Sequence, residues 1–171
     1  LNFDTNGFDV GFQTGLHGTG GLTKKGVGTL TLSNLDDYAG TTTVSAGTLQ
    51  VTPGNLGNSP LDLQDDATLA VISSTFNSWY VTDLTLGNST GATVEFRNFD
   101  NLSTGLPINA TDSLVTHGTV PVKVVGNLGV GVFPLIGYPS GGSIGGSGIS
   151  AFQLTGRPRG VAATLIDSSH A

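Results

Sequence analysis

The chain has 171 residues and a formal net charge of −6; only 11% of its residues are charged, against 37% hydrophobic. Six Lys plus Arg form no basic stripe able to displace counterions from phosphates, which argues against nucleic-acid binding. The absence of Cys excludes a disulfide framework, a thiolate zinc site and a cysteine nucleophile, and no apolar run approaches the ~18 residues needed to span a bilayer. Apolar residues are nonetheless plentiful enough for a packed core, and 27 Gly against 7 Pro suit short strands joined by tight turns. The chain lacks Met and opens at Leu1, so it reads as a piece of a larger polypeptide, with any signal peptide or anchor elsewhere.

Along the chain, period-2 patterning recurs and helical periodicity is nearly absent. Predicted strands fall at Thr29 to Leu32, Thr42 to Val44, Thr48 to Val51, Leu61 to Leu63, Thr68 to Val71, Leu84 to Leu86 and Ala92 to Phe96. Later ones fall at Thr119 to Val125, Phe133 to Ile136, Phe152 to Leu154 and Ala162 to Ile166. Each alternates an apolar residue with a polar one, often Thr, and each ends at Gly, Asn, Asp or Pro, residues suited to turns. A sandwich expects repeated two-residue hairpin turns, and Asn6-Gly7 is the one Asn-Gly or Asp-Gly dipeptide. A solenoid expects self-similar units. Gly28-Thr29-Leu30-Thr31-Leu32 is echoed by Gly47-Thr48-Leu49-Gln50-Val51, and more loosely at Ala67 to Val71 and Ala92 to Phe96. Spacings of about 19 to 25 residues correspond to one three-sided coil of a β-solenoid. The predicted fold is all-β, a right-handed parallel β-helix in a single domain.

The stretch Gly20-Gly21-Leu22-Thr23-Lys24-Lys25-Gly26-Val27-Gly28-Thr29-Leu30-Thr31-Leu32-Ser33, followed by Asp37-Tyr38-Ala39-Gly40-Thr41-Thr42-Thr43-Val44-Ser45-Ala46-Gly47-Thr48-Leu49-Gln50-Val51, resembles the autotransporter-associated β-strand repeat. That resemblance implies a right-handed β-helix of the kind found in bacterial passenger domains, and hence a secreted, extracellular bacterial protein. A looser resemblance, at Gly131 to Tyr138 and Gly142 to Gly148, is to the unit that often follows such repeats. The domain divides accordingly into residues 1–51 (the repeat), 52–130 (central coils) and 131–171 (C-terminal coils with a Gly/Ser-rich loop).

Chemistry-bearing motifs are sparse. Gly18 to Gly21 before Lys24-Lys25 lacks the Gly-Lys-Ser/Thr and the following helix of a phosphate loop, and reads as turns. Gly141 to Gly146 lacks the Asp of calcium-binding nonapeptides and reads as a loop. The carboxylates are eleven Asp and Glu95; Asp36-Asp37 and Asp65-Asp66 read as solvated turn residues, with calcium the alternative. His17, His117 and His170 are far apart and read as exposed loop residues. The reading is therefore of a chain without catalytic residues, resident metal or cofactor.

Aromatic residues point elsewhere. Trp79, the one Trp, is followed by Tyr80 and preceded by Phe76-Asn77-Ser78, where strand patterning breaks between Ser73 and Thr82. A large ring there is either a core plug or an exposed platform on which a pyranose stacks. Asn77 and Asp83 would then bond sugar hydroxyls, and Arg97 and Asn98 could do so farther along, while Phe96 and Phe99 read as core. The sequence also resembles β-helical carbohydrate-binding modules attached to bacterial xylanases. The leading expectation is thus a non-catalytic module that binds an extended polysaccharide, xylan or a related β-glycan, and is covalently linked to catalytic or anchoring domains. The alternative is a structural passenger or stalk segment of a surface adhesin; a polysaccharide lyase or hydrolase ranks third.

Overall fold

The computed structural model describes residues 1–34, 36–54, 56–73, 77–100 and 106–167, the side chain of Asp100 apart. Short strands follow one another throughout: β1 (Asn2–Asp4), β2 (Val10–Gly11), β3 (Leu22–Lys25), β4 (Thr29–Leu32), β5 (Thr42–Val44), β6 (Thr48–Val51), β7 (Leu61–Leu63) and β8 (Thr68–Ile72). Longer ones come next: β9 (Trp79–Leu86), β10 (Thr93–Asp100), β11 (Ile108–Thr116) and β12 (Val120–Asn127). The chain then makes β13 (Ile136–Gly137), β14 (Gly145–Gly146), a 3₁₀ turn at Ile149–Ala151 and β15 (Phe152–Gly156).

Odd-numbered strands from β1 to β13 line up in one sheet, with β14 also on β11; β15 and the even-numbered strands β2 to β12 form the other. Every strand pairing among the described residues is parallel. Each circuit from β1 to β12 thus lays one strand on each sheet, which is a parallel β-helix, as expected. The third side of the coil is irregular, with an isolated parallel bridge between Asp36 and Leu56.

Alternation explains the stacking. Inward residues in the second sheet form the rows Leu30, Leu49, Leu69, Val94, Val122, Leu154 and Leu32, Val51, Val71, Phe96, Val124. In the first sheet they form Leu22, Thr42, Leu61, Leu84, Leu114 and Lys24, Val44, Leu63, Leu86, Thr116. Apart from the buried polar Thr42, Lys24 and Thr116, these rows make one continuous apolar core, with Leu154 at its end only partly buried, that no single coil could bury alone. The outward rows are polar: Thr23, Thr43, Asp62, Thr85 on one sheet and Thr29, Thr48, Thr68, Thr93 on the other.

Corners demand glycine where coils approach most closely. Gly47 has φ 69°, and a Cβ there would lie 2.5 Å from the Gly26 carbonyl oxygen. At Gly91, φ 110°, it would lie 1.7 Å from that of Thr119.

Four local expectations are corrected. Strand β9 begins at Trp79, so Trp79 to Thr82 is strand, not loop. Of Phe133 to Ile136 only Ile136 is strand, and Ala162 to Ile166 has no regular structure. Within the Gly/Ser-rich stretch, Gly145 and Gly146 pair with Val115 and Thr116 instead of looping freely.

Candidate functional site

The residues singled out for sugar binding separate onto two faces. Trp79 lies in β9 with its side chain turned inward and 3% exposed; its Nε1 donates to the Gly57 carbonyl oxygen at 3.4 Å. It is a core plug, which corrects the platform alternative. The reason is register: Trp79 aligns with Ile108, and both belong to the core. Tyr80, next along the strand, necessarily points out and is 50% exposed. Its row continues as Asn109 and Gly137.

Asp83 is half-buried on the same face and accepts a 2.6 Å hydrogen bond from Ser113 Oγ. Between these two levels β11 carries an extra residue: Ala110 aligns with Val81 and Ser113 with Asp83, so Thr111 and Asp112 bulge outward. Asn77 is exposed and sits against Gly54 of the preceding coil. Phe76 lies outside the described residues, as does His170.

Arg97 and Asn98 belong to β10, hence to the other sheet. Arg97 donates to Gln50 Oε1 at 2.6 Å and to Glu95 Oε2 at 3.0 Å, reaching two strands back. It thereby spans the level of Ala70, whose outward methyl is fully buried. The guanidinium is committed to this stripe, and Asn98, exposed with φ 53°, marks the irregularity beside it. The six described candidates therefore do not converge. Tyr80, Asn109, Asp83 and Ser113 lie on the outward side of β9 and β11, an exposed ring together with hydroxyl, amide and carboxylate.

The paired aspartates differ from each other. Asp65 Oδ1 accepts the amide N–H of Asn88, Ser89, Thr90 and Gly91, and Oδ2 accepts the Ser89 hydroxyl. Those bonds, led by the Ser89 amide, hold its carboxyl far below the usual carboxylate range. It organises the next coil's turn instead of merely facing solvent. Asp36 is 3% exposed, not solvated; its Oδ1 accepts the Leu16 N–H and its Oδ2 has no hydrogen-bond partner among the described residues. Burial pushes its carboxyl up. Asp37 pairs with exposed His17 beside it, at the rim of a 160 Å³ cavity lined by Leu1, Leu16, His17, Gly20, Gly21, Leu22 and Tyr38. Among the described residues no three His, Cys, Asp or Glu side chains are grouped to hold a metal ion.

Lys24 was missed as a site residue. It is fully buried, and its Nζ donates to Thr5 Oγ1 (3.1 Å) and to the carbonyl oxygens of Lys25 (3.0 Å), Gly26 (2.6 Å) and Ala46 (3.0 Å). Desolvation lowers its pKa. Strand alternation at Leu22-Thr23-Lys24 was the available signal, since it places Lys24 inward.

The repeating unit has a counterpart among known families. A model described as passenger-associated-transport-repeat matches residues 22–51. The match runs from the first residue of β3 to the last of β6, and so covers the strands of two successive coils. No curated protein and no solved structure matches the chain. The repeat supports the autotransporter-type resemblance; nothing comparable supports the resemblance to xylanase-attached modules.

Proposed function

We propose that the chain is a scaffold segment of a secreted or surface-exposed bacterial protein, a non-catalytic stack of passenger-type coils that carries neighbouring parts of its parent chain. The observation behind this reading is the passenger repeat at residues 22–51, coincident with the most regular coils. A solenoid suits export because each coil contacts mainly its neighbours, so coils can be added one at a time as the chain emerges. Lacking Cys, the stack needs no oxidation to mature. The test is protease treatment of intact cells of the source bacterium. Release of peptides from this segment without lysis is expected; protection until the cells are broken would refute surface exposure.

A second reading, binding of xylan or a related β-glycan, rests on Tyr80. Its ring is half exposed on the face of a parallel sheet, with Asn109, Asp83 and Ser113 able to bond hydroxyls. Calorimetry of the purified chain with soluble xylan tests it. Heat that Tyr80→Ala abolishes, in a variant that keeps its fold, would favour this reading; no heat with xylan or β-glucan would leave the scaffold standing alone.

A further inference from the structure

The inner row that contains Lys24 continues as Val44, Leu63 and Leu86, so apolar side chains satisfy the same position in the next coils. Placing an ammonium there costs desolvation, which is tolerable only if its hydrogens find good acceptors. They do: the four oxygens lie 2.6 to 3.1 Å away. All four are neutral, one hydroxyl and three carbonyls. Their origin is the informative point. Thr5 follows β1, Lys25 ends β3 and Gly26 follows it, and Ala46 lies between β5 and β6. Each belongs to a corner between the two sheets, and the corners come from three successive coils. Thr5 is itself buried, and its hydroxyl also donates to the Lys25 carbonyl oxygen at 3.1 Å. Asp4 adds attraction of opposite charge through space.

We propose that the Lys24 ammonium works as an internal cation, filling a cage of neutral oxygens that is complete only when three successive coils are stacked, and so locks those coils into one cooperative unit. A hydrophobic residue at this position would pack the core but would leave three corner carbonyls without their shared donor. The cage is then the feature that couples the β1 coil to the β5 coil, which do not pair with each other directly.

Hydrogen exchange on the purified chain followed by mass spectrometry tests the proposal. Lys24→Met keeps length and packing and removes the charge. Exchange in residues 1–11 and 42–51 should accelerate together, by roughly tenfold or more, the factor expected when a charge-assisted bond is lost. Residues 93–127 should be unaffected. Lys24→Ala opens the cage, and ammonium chloride should restore slow exchange there where tetramethylammonium chloride at equal ionic strength does not. Unchanged exchange in Lys24→Met, equal acceleration in every coil, or failure of ammonium to restore Lys24→Ala would overturn the proposal. Should Lys24→Ala not fold, Lys24→Met alone decides by the same pattern.

Discussion

Leu49 lies in the middle of the inner row that runs from Leu30 to Leu154, and it is fully buried. Leu49→Ala removes three carbons from that row, about 2.4 kcal/mol of transfer free energy at ~0.8 kcal/mol per methylene. A cavity term adds to this when the surroundings cannot collapse, and collapse is difficult here. Leu30 and Leu69, above and below, are held at the strand spacing of ~4.8 Å by the parallel ladders of β4, β6 and β8. The expected loss is therefore in the upper part of the range for Leu→Ala substitutions, about 3–5 kcal/mol. With a urea slope of ~2 kcal/mol per molar, the midpoint should fall by roughly 2 M. Trp79, buried in the same core, supplies the signal through its emission. The control is Thr48→Ala, one residue away and pointing outward, with an expected effect within ~0.5 kcal/mol. Equal losses for the two variants, or a loss below ~1 kcal/mol for Leu49→Ala, would refute the inward assignment of this row.

Trp79 emission should be that of a ring out of water and should resist quenching by acrylamide until the chain unfolds; efficient quenching of the folded chain would show the ring exposed. Asp65 should titrate well below the ordinary carboxylate range, because its charge is bonded by the turn at Asn88 to Gly91. Its contribution to stability is present above the unfolded carboxylate pKa of ~3.9 and is lost only as pH falls through the depressed folded value. An ordinary midpoint in a carboxyl NMR titration, or an Asp65→Asn variant with unchanged exchange at residues 88–91, would contradict this. Asp36 works in the opposite sense. Its raised pKa means that folding favours the protonated form, so its contribution is fullest below the unfolded value and is lost as pH rises through the folded one. Asp36→Asn should remove that dependence and raise thermal stability at neutral pH relative to the parent; a midpoint lowered equally at pH 4 and pH 7 would show that charge is not the issue.

The architecture was legible because two signals agreed: apolar-polar alternation within each run, and Gly, Asn, Asp or Pro in the turns between runs. Where alternation changes phase, legibility failed. In β9 the sequence Trp79-Tyr80-Val81-Thr82-Asp83-Leu84 carries inward residues at 79, 81 and 84, a skip imposed beside the β11 bulge. That skip made a strand look like a loop and left Trp79 undecided between plug and platform. The two Asp pairs illustrate another limit. Asp36 and Asp65 each open an Asp-Asp dipeptide, yet one is buried and the other is bonded at the surface by a neighbouring coil. What decides between them is the residue one circuit away, Leu16 or Asn88, and that adjacency emerges only once the coils are in register. The oxygen cage of Lys24 escapes the sequence altogether, since three of its four acceptors are main-chain carbonyls.

Regularity also changes along the stack, and the change bears on where function resides. Successive inward residues Leu30, Leu49, Leu69, Val94, Val122 and Leu154 are separated by 19, 20, 25, 28 and 32 residues, so the coil lengthens toward the C-terminus. In a solenoid such extra residues go to corners, bulges and strand extensions, which leave the stacked core undisturbed. They account for the Asp65-bonded turn, the Thr111–Asp112 bulge, and the lengthened β9 and β11 that carry Tyr80 and Asn109 outward. The family match stops at Val51, before all of them. The coils that fit the repeat are thus among the shortest of the stack. Outward side chains that stacking does not require therefore accumulate after the family match ends, in the lengthened circuits between Leu69 and Leu154.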